Sequence, residues 1–164
     1  MPDVLAVINR VIEEHRKIRE HVRLAGDSLN DMEALFALQK QRGGWGQSSV
    51  KDLDEKQGRL QQAVSFLEQG LKNHFGFEEE LLFPLFGELM EKAFLREHRV
   101  VRQQMESART AVVSAEFTGL SQRESLSKKS VIQQMVNSLG QAIEEHAGHE
   151  EVILDMVKKT LEGG

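Results

Sequence analysis

The sequence predicts an all-α protein, an antiparallel up-down four-helix bundle. Three observations carry this. Four segments place apolar residues in alternating steps of three and four, the stripe of a bundle helix. No segment alternates with the period of two that a half-buried strand needs. Proline occurs only as Pro2 and Pro84, so long helices are permitted. A chain of 164 residues suits one domain, 1–164, with length enough for a single core.

Pro2 suits a helix's first turn and places the first start nearby. The seam then reads Val4, Ile8, Val11, His15, Ile18, Val22, Ala25. Gly26, Asp27 and Ser28 interrupt it, and a shorter helical piece is expected over residues 31–41. Three glycines within Gly43–Gly46 predict a loop from Arg42 to Ser49, with Trp45, the only tryptophan, covering one end of the core. Ser49 with Asp52 suggests the next helix start. The second seam reads Leu60, Val64, Leu67, Leu71, His74, Glu78, Leu81, Leu85. Pro84 lacks a backbone N–H and should end or kink this helix, with Gly87 just beyond. The third seam is Phe94, His98, Val101, Met105, Ala108, Val112, closed by a turn at residues 118–121. The fourth is Ile132, Val136, Leu139, Ile143, His146, Glu150, Ile153, Val157.

Composition excludes several function classes. The net charge of −5 argues against a general nucleic-acid binder. No apolar run reaches the roughly 18 residues of a membrane span, and the opening Met1, Pro2, Asp3, Val4 lacks the features of a signal peptide. A cytoplasmic location is the default expectation. With no cysteine there is no disulfide, thiolate ligand or thiol nucleophile, and with no tyrosine there is no tyrosyl chemistry.

Six polar side chains occupy seam positions: His15, His74, Glu78, His98, His146 and Glu150. His74/Glu78 and His146/Glu150 are each four residues apart, about 40° apart on one helix face. Any one of them alone reads as an ordinary core or surface-reaching residue. Together they interrupt every helix, and an unpaired buried carboxylate costs several kcal/mol, of order 5. A bound cation resolves all six. Four imidazoles and two carboxylates without sulfur suit iron, manganese or zinc, with iron favoured because both carboxylates can bridge. Two ions would each take two histidines and share Glu78 and Glu150, leaving each below six-coordinate. A single zinc would use only part of the set. No His has a Glu three residues before it, so the Glu-x-x-His pattern of ferritin-like sites is absent; so is His-Glu-x-x-His, because Ile153 stands where its second His belongs.

The halves also repeat. Glu14-His15-Arg16-Lys17-Ile18-Arg19 matches Glu97-His98-Arg99-Val100-Val101-Arg102, and His74-x-x-x-Glu78-Glu79 matches His146-x-x-x-Glu150-Glu151, which suggests a pseudo-twofold bundle. By the repeat, Gln104 answers His21 and Phe77 answers His149, so both remaining histidines read as peripheral, His149 through packing near the site. Glu79, Glu80 and Glu151 read as a solvated face rather than as groups orienting imidazoles.

Glu-His, His-x-x-x-Glu-Glu followed by Leu82-Phe83-Pro84, Glu-His, and His-x-x-x-Glu-Glu, in that order from Glu14 to about Leu154, resemble the hemerythrin-like domain of the His-His-Glu cation-binding type. The resemblance implies that the six residues bind two iron ions in a non-haem centre with an oxo or hydroxo bridge. It also implies a small ligand (oxygen, nitric oxide or peroxide) in a carrier, sensor or stress-protection role. Oxygen carriers of the family have a His where this chain has Arg102, and an Asp where it has Glu151. The set is more similar to di-iron proteins linked to iron–sulfur cluster repair and nitric-oxide stress, although their Cys-containing segment has no counterpart here. Iron delivery, with the metal as cargo, is the alternative, and an interaction bundle with a polar core is the third. Ligands alone do not establish turnover, because one centre can carry, sense or react. The oligomeric state is not legible in the residues.

Overall fold

A computed structural model describes residues 3–42 and 45–163. Among these residues there are four α-helices and no strand: α1 (Val4–Arg42), α2 (Gln47–Phe77), α3 (Glu88–Val113) and α4 (Gln122–Gly163). Cross-helix pairs run in opposite order along partner helices. Arg19 meets Glu144 and Glu33 meets Lys129 between α1 and α4, and Glu79 meets Arg102 and Glu68 meets Arg109 across the α2–α3 interface. The bundle is therefore antiparallel, and each helix packs on its neighbours in chain order, with α4 closing back on α1.

Helix α1 does not break at Gly26. A glycine inside a helix costs about 1 kcal/mol relative to alanine. The seam nevertheless continues beyond it through Leu29, Met32 and Phe36, all buried, and burying each such side chain returns about 1.5–3 kcal/mol. Tertiary burial outweighs local propensity. Pro2, Gly43 and Gly44 lie outside the described residues. Asp3 caps α1, its Oδ1 accepting from the Leu5 and Ala6 amides. Helix α2 starts before Ser49, whose Oγ accepts the Gly46 amide at 3.3 Å. Trp45 stacks on Phe36 with ring centroids 5.5 Å apart and packs against the core end, as its position in the sequence suggested. Ser121 and Glu124 form a reciprocal capping box at the start of α4.

The end of the second seam is a correction. A π-turn spans Glu78–Leu82, and the Phe83 amide donates to the Glu78 carbonyl. The wider turn advances the helix phase by one residue. Leu82 and Phe83 are buried in place of Leu81 and Leu85, and Leu85 is 44% exposed. A 3₁₀ turn at Phe83–Leu85 carries Pro84, and Gly87 at φ 86° turns the chain into α3. In α4 the seam likewise passes to Leu154, leaving Ile153 and Val157 partly buried. A 3.6-residue helix drifts against a 3.5-residue stripe over such a length.

The apolar interior forms two clusters. The larger runs from Ile18, Leu71, Val101 and Ile143 to the Trp45 end; the smaller comprises Val7, Ile8, Val11, Leu82, Phe83, Phe94 and Leu154. The six polar seam residues lie along the helices between them.

Candidate metal centre

Helical periodicity carries all six seam residues inward. His15, His74, Glu78, His98, His146 and Glu150 are each at most 4% exposed. They form two groups of four: His15, His74, Glu78 and Glu150, and Glu78, His98, His146 and Glu150. In each group the candidate ligand atoms lie within 4.8 Å of one another, and both carboxylates belong to both groups. Glu78 Oε1 lies 2.7 Å from His74 Nε2 and 3.3 Å from His98 Nε2. Glu150 Oε1 lies 3.1 Å from both His15 Nε2 and His146 Nε2.

The outer nitrogens explain how the rings are held. His74 Nδ1 donates to Glu14 at 2.9 Å, His98 Nδ1 to Glu79 at 2.8 Å and His146 Nδ1 to Glu97 at 3.1 Å. His15 Nδ1 sits 3.5 Å from Glu151. An ionised carboxylate only accepts, so each Nδ1 bonded to one carries the hydrogen, and the corresponding Nε2 presents a lone pair inward once the ring is neutral. His74 Nε2, His98 Nε2, His146 Nε2, both Glu78 oxygens and Glu150 Oε2 are buried without a properly oriented hydrogen-bond partner. Lone pairs this close repel unless a positive charge stands between them. The donor set fits a cation, and the orphaned atoms face the place it would occupy.

The proton affinities agree. Burial opposes charge on His74, but its contacts with Glu78, supported by Glu14 and Glu150, outweigh burial and raise its pKa. Burial likewise opposes charge on His146, yet Glu150 and Glu78 push it up to about 10. Burial works to raise Glu78, while Glu150 and the imidazoles of His146, His74 and His98 hold it well below the usual carboxylate range.

The family model for the hemerythrin HHE cation-binding domain matches residues 6–157. The chain belongs to that family. No curated protein and no solved structure matches it. Family membership and the two ligand-bearing groups make this hemerythrin-family chain a metal-binding protein. No helix among the described residues is long and apolar enough to cross a membrane.

Several residues around this hemerythrin-family site escaped sequence reasoning. Glu79 and Glu151 do not form a solvated face: they bond or approach His98 and His15, and Arg102 and Arg19 tie them in turn at 2.7 Å and 2.6 Å. Arg102, where oxygen carriers have a His, thus clamps an outer acid instead of facing the centre. Glu80 alone of the three is exposed. Glu14 and Glu97 had a visible signal, the repeated Glu-His dipeptide, but each orients a histidine on a different helix from its own. The His149 side chain is 64% exposed and bonds Glu97 at 2.5 Å, so it reaches the site through an outer acid and not by packing. His21 stacks on Phe66, away from the centre.

Proposed function

We propose that the protein holds two iron ions between its helices and binds a small diatomic or peroxide ligand there. The observation that carries this reading is the sharing of both Glu78 and Glu150 by the two groups of four. His15 and His74 would hold one ion, His98 and His146 the other, and the carboxylates would bridge them. Each ion then has four protein ligands, which leaves positions for solvent or an added ligand. The bound pair would supply redox-active Lewis acidity; the chain supplies orientation and exclusion of water. Outer carboxylates fix the tautomers and ring planes of His74, His98 and His146. The apolar clusters on either side keep bulk water from the centre.

A cavity of about 10 Å³ adjoins His15, His74 and His146 and is otherwise lined mainly by apolar groups such as Ile18, Ile143 and Ala147. That volume is near the minimum for one water, about 10–15 Å³, so it suits a diatomic ligand and not an organic substrate. Iron delivery is less well supported: the ligands are almost wholly buried and the imidazoles carry outer acids, an arrangement suited to retention.

Metal analysis of purified protein should give about two irons per chain, as the ligand count requires. The ferric protein should show the near-ultraviolet absorption of a bridged pair, lost in Glu78→Ala and in Glu150→Ala. Intact absorption in either variant removes the bridge assignment. Rapid loss of iron to a chelator from the native protein would favour the cargo role.

A further inference from the structure

Four carboxylates stand behind the imidazoles, and three of them carry an arginine on their outer side. Arg10 lies 3.3 Å from Glu14, Arg102 2.7 Å from Glu79 and Arg19 2.6 Å from Glu151. Glu97 is the exception. Among the described residues no arginine or lysine pairs with it, and its outer partner is His149, whose Nδ1 lies 2.5 Å from Glu97 Oε2. The other oxygen of Glu97 takes the His146 Nδ1 hydrogen at 3.1 Å. One carboxylate of α3 thus holds two imidazoles of α4. That of His146 is buried in the centre, and that of His149 is 64% exposed.

The first half of the chain closes the equivalent place. By the repeat, Phe77 stands where the second half has His149, and Arg10 where it has Ala93. The Arg10 guanidinium lies over the Phe77 ring, 3.8 Å from its centroid, while it bonds Glu14. A fixed positive charge and an apolar ring therefore stand outside Glu14. Outside Glu97 stand an exposed imidazole and the exposed, uncharged Ala93.

The chemistry of the two covers differs. An arginine stays cationic and has no lone pair to offer, so it repels an approaching cation. A neutral imidazole whose Nδ1–H is bonded to a carboxylate has a bare Nε2, the form that binds metal. Imidazole with carboxylate suits a ferrous ion.

We infer that His149 and Glu97 form an outer capture site for a divalent cation, and that the centre loads through it, at the seam between α3 and α4. This rests on the iron-binding reading above. His149 supplies an exposed nitrogen donor, Glu97 supplies negative charge, and His146 is the first buried donor behind them. Arg10, Arg19 and Arg102 close the other three approaches. Loading involves no redox change, so the iron stays ferrous throughout.

The test follows anaerobic uptake of ferrous ion by the metal-free full chain, after circular dichroism shows each variant folded. Fading of a coloured ferrous–chelator complex gives the uptake rate, and excess of a stronger chelator gives the release rate. His149→Phe, which copies the first half, should load about 10-fold more slowly, the low end of what a local attractive site adds to an association rate. It should also release about 10-fold more slowly and still hold two irons with unchanged affinity, because losing a way-station raises one barrier in both directions. His149→Gln keeps an N–H for Glu97 but has no imidazole, and it should load as slowly as His149→Phe. His21→Phe, away from the centre, should load as wild type does. Wild-type loading by His149→Phe, or equal slowing in His21→Phe, overturns the capture route and leaves the iron-binding reading standing. So does faster release from His149→Phe that His149→Gln rescues, which would make His149 only an anchor for Glu97. A wild type that takes up no iron overturns both.

Discussion

Replacing Glu79 by alanine removes the acceptor that holds His98. Glu79 Oε1 takes the His98 Nδ1 hydrogen at 2.8 Å and an Arg102 N–H at 2.7 Å. Without it the imidazole loses both its preferred tautomer and its ring plane, while Glu78 and Glu150 remain. Loss of an outer partner of this kind lowers metal affinity by about 10–100-fold, or about 1.4–2.8 kcal/mol. On the proposed di-iron reading the effect should fall on the ion assigned to His98 and His146, so an intermediate chelator concentration should leave about one iron per chain in Glu79→Ala and two in wild type. Arg102→Ala should do less: Arg102 is about half exposed, and such ion pairs contribute about 0–1 kcal/mol. Glu80→Ala, one residue away and exposed, is the control. Competition with a coloured chelator at fixed pH, after circular dichroism shows each variant folded, gives the numbers. Equal iron retention by Glu79→Ala and Glu80→Ala would refute the orienting role of the outer acid.

Metal uptake should strengthen as pH rises from 6 towards 10, and uptake at pH 7 should release protons, because binding needs bare imidazole nitrogens and the pKa values of His74 and His146 are raised, the latter to about 10; a dye-coupled titration in weak buffer measures this, and proton-free uptake contradicts it. The same shifts give the metal-free protein a stability optimum. The histidine contribution is fully present below the unfolded value of 6.5 and fades as pH rises through the folded values, while the Glu78 contribution is present above 4.5 and is lost as pH falls towards its lowered folded value. Melting temperature should therefore peak between about pH 5 and 6.5 and fall on both sides. Gly26→Ala should raise the melting temperature by about 2–4 °C, since a Cβ there meets nothing within 4 Å and alanine gains about 1 kcal/mol in mid-helix. Leu82→Ala should cost about 2–5 kcal/mol in chemical denaturation, while Leu85→Ala stays within about 0.5 kcal/mol; the reverse ranking would deny the phase shift at the π-turn.

Periodicity made most of the fold legible. The stripes through Leu60, Val64, Leu67 and Leu71, and through Phe94, Val101, Met105 and Ala108, are buried as read. Gly26 was misread because a local interruption weighs little against the buried apolar surface of Leu29, Met32 and Phe36 beyond it. Leu81 and Leu85 were misread because a π-turn alters the angular step, and the residues Glu78–Leu82 carry no obvious mark of it.

Positions along one helix are set by local backbone geometry, so the sequence alone was enough to show six polar residues interrupting the apolar seams. Which acid touches which imidazole depends on the rotation and offset of separate helices, and local pattern does not encode that. Tertiary structure alone paired Glu14 with His74 and Glu97 with His146. It also set the Phe75 ring against His98, centroids 3.8 Å apart, because packing is decided by what the opposite helices leave between them.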